Sequence, residues 1–362
     1  MNTKNLRIAA VIVAMALTIS SCAKEDAAIE PPATRAVTDA FGRRVELPGT
    51  VKTVAAIGGA SRLLTYAGCA DMLVGVTDLD KKPSSAMPYS VVNAERFAGL
   101  PSVGSGGSND TTYDEAIVGL APDVIFGLSE ERVRELAEKT GIPTIGLSVT
   151  GPFDGSLAAS LALIGEITGS GDRCAELVAA LESWAVDLDA RTRGVSDSEK
   201  PTVYAGAISF RGAHGFDGTM AHYPPFEAIG ARNVADETGQ KGAFLVDPEK
   251  VLEWDPDVIF LNPTNMYLVD EDYAKNRAFY DGLSAVKAGR VYSQLSYNYN
   301  YTNIEIAVAD AYYAGTVIYP ERFADVDIAA KADEVFVAML GAPFYGRLAA
   351  DGLVFGPIAL GD

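Results

Sequence analysis

The chain has 362 residues, 48% of them apolar, and a formal charge of −19. The length exceeds what one compact core holds and suits two lobes. The acidity excludes a general nucleic-acid binder, which needs a basic face, and speaks otherwise only of solubility.

Lys4 and Arg7 precede an apolar run over 8–19 that is too short to span a membrane comfortably. The run ends in Ile19-Ser20-Ser21-Cys22, which resembles a bacterial lipobox. In signals of that kind the cysteine is lipidated and becomes the new N-terminus. Cys22 is thus the expected lipidation site, and acyl chains would hold the protein outside the cytoplasmic membrane. An ordinary secretory signal with a chance cysteine is the alternative. The expected divisions are a signal peptide over 1–21, a flexible tether over 22–36, an N-terminal α/β lobe over 37–155, a connecting helical region over 156–194, a C-terminal α/β lobe over 195–345 and a tail over 346–362.

In chain order, 37–48 alternates around Phe41-Gly42 and reads as a hairpin. A strand over 51–57 ends in Gly58-Gly59, followed by a helix over 60–68 and a strand over 73–76. The polar stretch 78–109 reads as a long loop, a length that marks a binding or contact surface. A helix over 112–120, a strand over 122–127, a helix over 130–140 and a strand over 142–147 follow. Strands alternating with helices imply a mainly parallel sheet covered on both faces. Residues 156–193 carry two helical stripes, broken or kinked at Gly169-Ser170-Gly171 with Asp172 as a candidate N-cap. The second lobe then predicts strands over 202–208, from 233, over 256–261 and over 290–293. Its helices are expected over 224–229, 248–254, 272–283, 302–319 and 329–340.

Pro-Asp-Val-Ile-Phe occurs twice, at 122–126 and 256–260. With the copies aligned, Glu115 falls on Glu249, Ile117 on Val251, Val118 on Leu252 and Leu120 on Trp254. Each copy reads as a short amphipathic helix, a turn and an apolar strand. The repeat therefore predicts two similar α/β lobes, mainly parallel in their sheets and bridged by a long helix, with a ligand cleft between them.

In open α/β sheets ligands sit at the carboxyl ends of strands. That rule singles out 58–62, 105–110 and 128–131 in the first lobe, and 210–214, 262–267 and 297–301 in the second. Candidate ligand contacts are Ser61, Arg62, Ser108, Asn109, Arg211, His214 and Asn265. Arg62 and Arg211 each follow the first strand of a lobe, and guanidinium groups facing across a cleft suit an anionic chelate. The run Tyr297-Asn298-Tyr299-Asn300-Tyr301 would place three phenols on one side if extended, to stack on a ligand or offer hydroxyl donors. His214 and His222 are the only histidines, too few for a multi-histidine metal site, so no metal site is assigned. Cys69 and Cys174 are expected to be small buried residues, although an oxidising compartment would let them pair.

The hairpin 37–48, the strand 54–58, and Ala67-Gly68 leading to Leu73-Val-Gly-Val-Thr-Asp78 together resemble the opening of substrate-binding lipoproteins of ABC importers. The class is the helical-backbone, TroA-like one that carries iron-siderophore, haem and cobalamin ligands, and the similarity runs over 37–345. The resemblance implies an extracytoplasmic, lipid-anchored, monomeric solute-binding protein that serves an ABC permease and its ATPase. It implies no intrinsic cofactor and no enzymatic activity; the bound ligand would be an iron chelate, haem or a corrinoid. In that family one Glu on each lobe docks onto arginine pockets of the permease, and Glu115 and Glu249 match those positions. The alternative for each is an ordinary first-turn helix carboxylate. An extracytoplasmic enzyme on the same scaffold is a distant alternative, since the chain has no Gly-x-Ser-x-Gly elbow, His-Glu-x-x-His or phosphate loop.

Overall fold

A computed structural model describes residues 34–107 and 110–361. The signal peptide, Cys22, nearly all of the expected tether, Ser108 and Asn109 lie outside the described residues. Strand β1 (Thr34–Thr38) pairs antiparallel with β2 (Arg44–Pro48) as the expected hairpin. It begins inside the segment assigned to the tether. The buried Asp39 closes its turn, accepting from the amides of Phe41 and Arg43 and, across the lobe, from the amide of Gly146.

The first lobe is built on β3 (Val54–Ala56), β4 (Leu73–Gly75), β5 (Val124–Gly127) and β6 (Thr144–Gly146). These strands are all parallel, in the order β4-β3-β5-β6. The second lobe holds β7 (Thr202–Gly206), β8 (Gly218–Ala221), β9 (Arg232–Asn233), β10 (Gly242–Leu245), β11 (Val258–Leu261) and β12 (Val291–Ser293). Its parallel sheet runs β9-β7-β11-β12, while β8 and β10 pair antiparallel beside it. Both lobes therefore follow one plan. The first strand is flanked by the second on one side and by the third, then the fourth, on the other.

The sequence repeat supplies the third strand of each sheet. All residues of β5 and β11 are buried, as a parallel sheet covered on both faces requires. The repeated aspartate has one task in both copies. Asp123 Oδ2 accepts from the amides of Lys52 and Thr53, at 2.7 and 2.9 Å, at the start of β3. Asp257 Oδ2 accepts from the amide and hydroxyl of Thr202, at 2.7 and 2.8 Å, at the start of β7. Each threonine hydroxyl in turn accepts from the amide of its aspartate. These closed loops pin the register of the two central strands.

The connecting region is two helices, Ser156–Thr168 and Gly171–Thr192. Gly169 ends the first at φ 82, and Ser170 rather than Asp172 is the N-cap of the second. The second helix, about 33 Å long at 1.5 Å per residue, is tied along its length. Arg173 donates to the carbonyl of Tyr66, Trp184 Nε1 to Glu334, and Arg191 to Asp325. One continuous apolar cluster runs from Val37 through both lobes to Leu348.

Several expectations are corrected. The stretch 78–109 contains helices Pro88–Val92 and Ala94–Ala98. Asn233 ends β9 and caps a 3-10 turn instead of starting a strand, since its side chain accepts from the amide of Ala235. The helix expected over 272–283 is Met266–Tyr280, kinked at Asn276. Of the expected tail, helix Tyr345–Ala350 packs on helix Ile328–Leu340, Ser85 of the first lobe donates to Asp351, and the amide of Ile358 donates to the carbonyl of Val291 on β12. Cys69 and Cys174 are, as expected, buried, and they are free thiols; burial pushes Cys69 up to about 12.

Candidate ligand-binding cleft

In the order β4-β3-β5-β6 the connections from β3 and β5 leave toward opposite sides of the sheet, which opens a crevice at the carboxyl ends of these two strands. A cavity of about 220 Å³ lies there. Its walls are Arg62 and Leu63 after β3, Leu128 after β5, Ser148, Val149 and Thr150 after β6, and Tyr301 and Thr302 from the second lobe. Gly58 and Gly59 form the turn out of β3, at φ 54 and 79. A Cβ on Gly59 would stand 2.7 Å from Tyr301 Cδ2, so glycine lets the phenol ring lie directly on the turn. Asp110 sits beside the same turn, its Oδ1 accepting from the amide of Gly106. Burial raises the Asp110 carboxyl above its ordinary range, against the amides of Gly106 and Gly58 and the charge of Arg132. Burial likewise raises the Tyr301 hydroxyl, and Asp110 adds to the shift. At neutral pH the phenol is therefore a neutral hydrogen-bond donor.

Arg62 holds this wall in place. Its side chain is 1% exposed and stacks 4.5 Å over the ring of Tyr89. Nε donates to Asn303 Oδ1 at 3.1 Å, and Nη2 donates to the carbonyl of Asn300. Nη1 makes no hydrogen bond among the described residues. Around it, Tyr89 donates to Asp80, Asn300 donates to Tyr89, and Tyr66 donates to the buried Glu305. A lobe-one arginine thereby fastens the second lobe's 299–303 segment, in which Asn300 and Tyr301 both adopt positive φ.

Residues 54–296 match the periplasmic binding protein family. The chain belongs to that family. The fold is shared by a periplasmic solute-binding protein of Veillonella parvula, with 18% identity and a TM-score of 0.70 over 86% of this chain and 94% of that one. The molybdate-bound periplasmic protein MolA of Haemophilus influenzae shares it at 20% identity and a TM-score of 0.67, over 85% of this chain and 98% of that one. The TroA-like periplasmic binding protein FepB of Veillonella parvula does so at 22% identity and a TM-score of 0.63, over 86% and 97%. No curated protein matches the chain. As a periplasmic binding protein of an ABC transporter it is extracytoplasmic and binds solute rather than transforming it.

Within this binding protein the expected ligand residues separate. Arg62 and Tyr301 meet at the cavity. Ser61 is buried beneath it and donates to Asp80. Arg211 is not the counterpart of Arg62. It is exposed at the tip of its loop with φ 51, whereas Arg62 is enclosed. His214 stacks on Phe210, with ring centroids 4.0 Å apart, and its Nε2 bonds the Phe210 carbonyl. Asn265 is buried and donates to Ala207 and Ser209. Asn298 donates to the Ser209 carbonyl, so both asparagines hold the loop that follows β7.

The tyrosine run is not extended. Residues 297–300 form a turn, so the three phenols diverge. Tyr297 is 5% exposed, packed beside Tyr223 and Met220, and is a core residue. Tyr299 is 45% exposed. Ser148 and Thr150 were not among the sequence candidates, although the rule that found 58–62 applies equally to the end of β6.

Among the described residues no group of three His, Cys, Asp or Glu side chains is placed to hold a metal ion, and no helix is long and apolar enough to cross a membrane. Glu115 and Glu249 both lie exposed in the first turn of a seven-residue helix, Asp114–Leu120 and Pro248–Trp254.

Proposed function

We propose that this binding protein captures an anionic ferric chelate in the cleft and delivers it to an ABC permease, with Cys22 as lipid anchor and Glu115 and Glu249 as docking groups. The observation that carries the reading is the cavity wall. One enclosed guanidinium and the hydroxyls of Ser148, Thr150, Tyr301 and Thr302 surround the space, with leucine and valine between them. Such a wall suits an anion with acceptor oxygens and some apolar surface. Among the described residues no cluster of protein ligands is placed to hold a bare ion, which favours iron carried as a preformed chelate. At about 220 Å³ the space is below the usual range for cofactor-sized ligands, which favours a compact chelate over haem or cobalamin.

The same small volume supports a second reading, a tetrahedral oxyanion such as molybdate. Quenching of Trp184, Trp254 and tyrosine fluorescence separates the readings when ferric siderophores, ferric citrate, haemin, cobalamin and molybdate are titrated against the purified protein. Saturable one-to-one quenching by a ferric chelate alone is expected. Selective binding of molybdate, haemin or cobalamin overturns the chelate reading. Binding of none overturns the assignment of the cleft.

A further inference from the structure

We infer that each lobe docks through a matched acidic and apolar pair, Glu115 with Val118 and Glu249 with Leu252. The partner would offer, at two equivalent places, a basic group flanked by an apolar surface. This rests on the docking role proposed for the two glutamates and adds the apolar half of the contact.

The two helices agree position by position. Ile117 and Val251 are fully buried, while Val118 and Leu252 are 52% and 38% exposed. Leu120 and Trp254 are half-buried. The helices even end alike, at Ala121 and Asp255, with φ of 45 and 40 in residues that seldom adopt the left-handed region. Residues three apart share a helix face, so each exposed apolar side chain stands beside its glutamate. Of the ten large apolar side chains exposed among the described residues, four lie in these helices or within three residues of them: Tyr113, Val118, Leu245 and Leu252.

Charge complementarity identifies the occupant. One neighbouring acid on each helix is paired within the molecule, Asp114 with Lys139 at 3.4 Å and Glu253 with Lys250 at 2.8 Å. Glu115 and Glu249 have no ion pair among the described residues, on a chain of formal charge −19. A solvated ion pair contributes little by itself. An apolar neighbour that excludes water as the surfaces meet strengthens it, which is how contact hot spots are commonly built. Equivalence in both lobes calls for a partner with two like halves.

The test measures binding of the full-length protein to its permease–ATPase complex in nanodiscs at low and high salt. Val118→Ser with Leu252→Ser should weaken binding at least tenfold at both salt concentrations, and Val118→Ile with Leu252→Met should restore it. Glu115→Gln with Glu249→Gln should weaken binding and flatten its salt dependence. If the glutamate variants lose binding while the serine variants bind as wild type does, the apolar inference is overturned and docking through the acids stands. If both sets bind as wild type does, the docking role itself is wrong. Both residues are solvent-facing, so unchanged melting curves will show that the variants are folded.

Discussion

Asp123 and Asp257 show how much of the fold rests on single side chains. Each satisfies the otherwise unpaired donors where its lobe's first strand begins. Replacing the half-buried Asp123 by alanine should cost about 1.5–3 kcal/mol, the usual range for bonds to a charged group, read from urea midpoints, and replacing the exposed Asp257 should cost less. Burial would raise the Asp123 carboxyl, but the amides and hydroxyl of Lys52 and Thr53 outweigh it and hold it below its ordinary value. Its contribution is present above that range and is lost as pH falls through the lowered value. Glu305 has the opposite sign. Burial raises its carboxyl, although Tyr66 and Arg62 pull it down. The folded chain therefore holds that proton more tightly than the unfolded chain. The stability this adds is fully present below the ordinary glutamate range and fades as pH rises through the raised value. Glu305→Gln should flatten the loss of stability from about pH 4 upward, measured by urea unfolding across pH. An unchanged slope would remove Glu305 from the account.

Among the elements, the two connecting helices approach closely at a point where both lack side chains. A Cβ on Gly165 would stand 2.9 Å from the Cα of Gly171. Gly165→Val should force the helices apart and cost about 1–3 kcal/mol, seen as a lower urea midpoint. The helix boundaries here were legible because apolar stripes and glycine breaks are local signals. So were the parallel strands other than β9, since their unbroken apolar runs need no knowledge of their neighbours. The β8–β10 pair was not legible, since Gly218–Ala221 and Gly242–Leu245 find each other across an intervening helix and strand. The turn at 297–300 was hidden for a related reason. Nothing local announces that Asn300 and Tyr301 take positive φ, because the carbonyls of Tyr299 and Asn300 are held by Arg62, more than two hundred residues away. The repeat was readable as a duplication, yet it said nothing of the cavity, which is lined by residues of the first lobe together with Tyr301 and Thr302.

At the scale of the whole molecule, a single apolar cluster, one long helix and the Arg62 network join the lobes. This construction favours small adjustments over hinge rotation. Ligand should change the radius of gyration in small-angle scattering by less than about 1 Å, and closure by tens of degrees would contradict it. The central claim is that solute is held at the first lobe's switch point against Tyr301. The direct test is the affinity of whichever chelate quenches the protein, measured by calorimetry for wild type, Tyr301→Ala and Thr150→Val. One-to-one binding is expected, weakened at least tenfold by Tyr301→Ala and less by Thr150→Val, with melting temperatures little changed. Undiminished affinity in both variants would place the ligand elsewhere and contradict the claim.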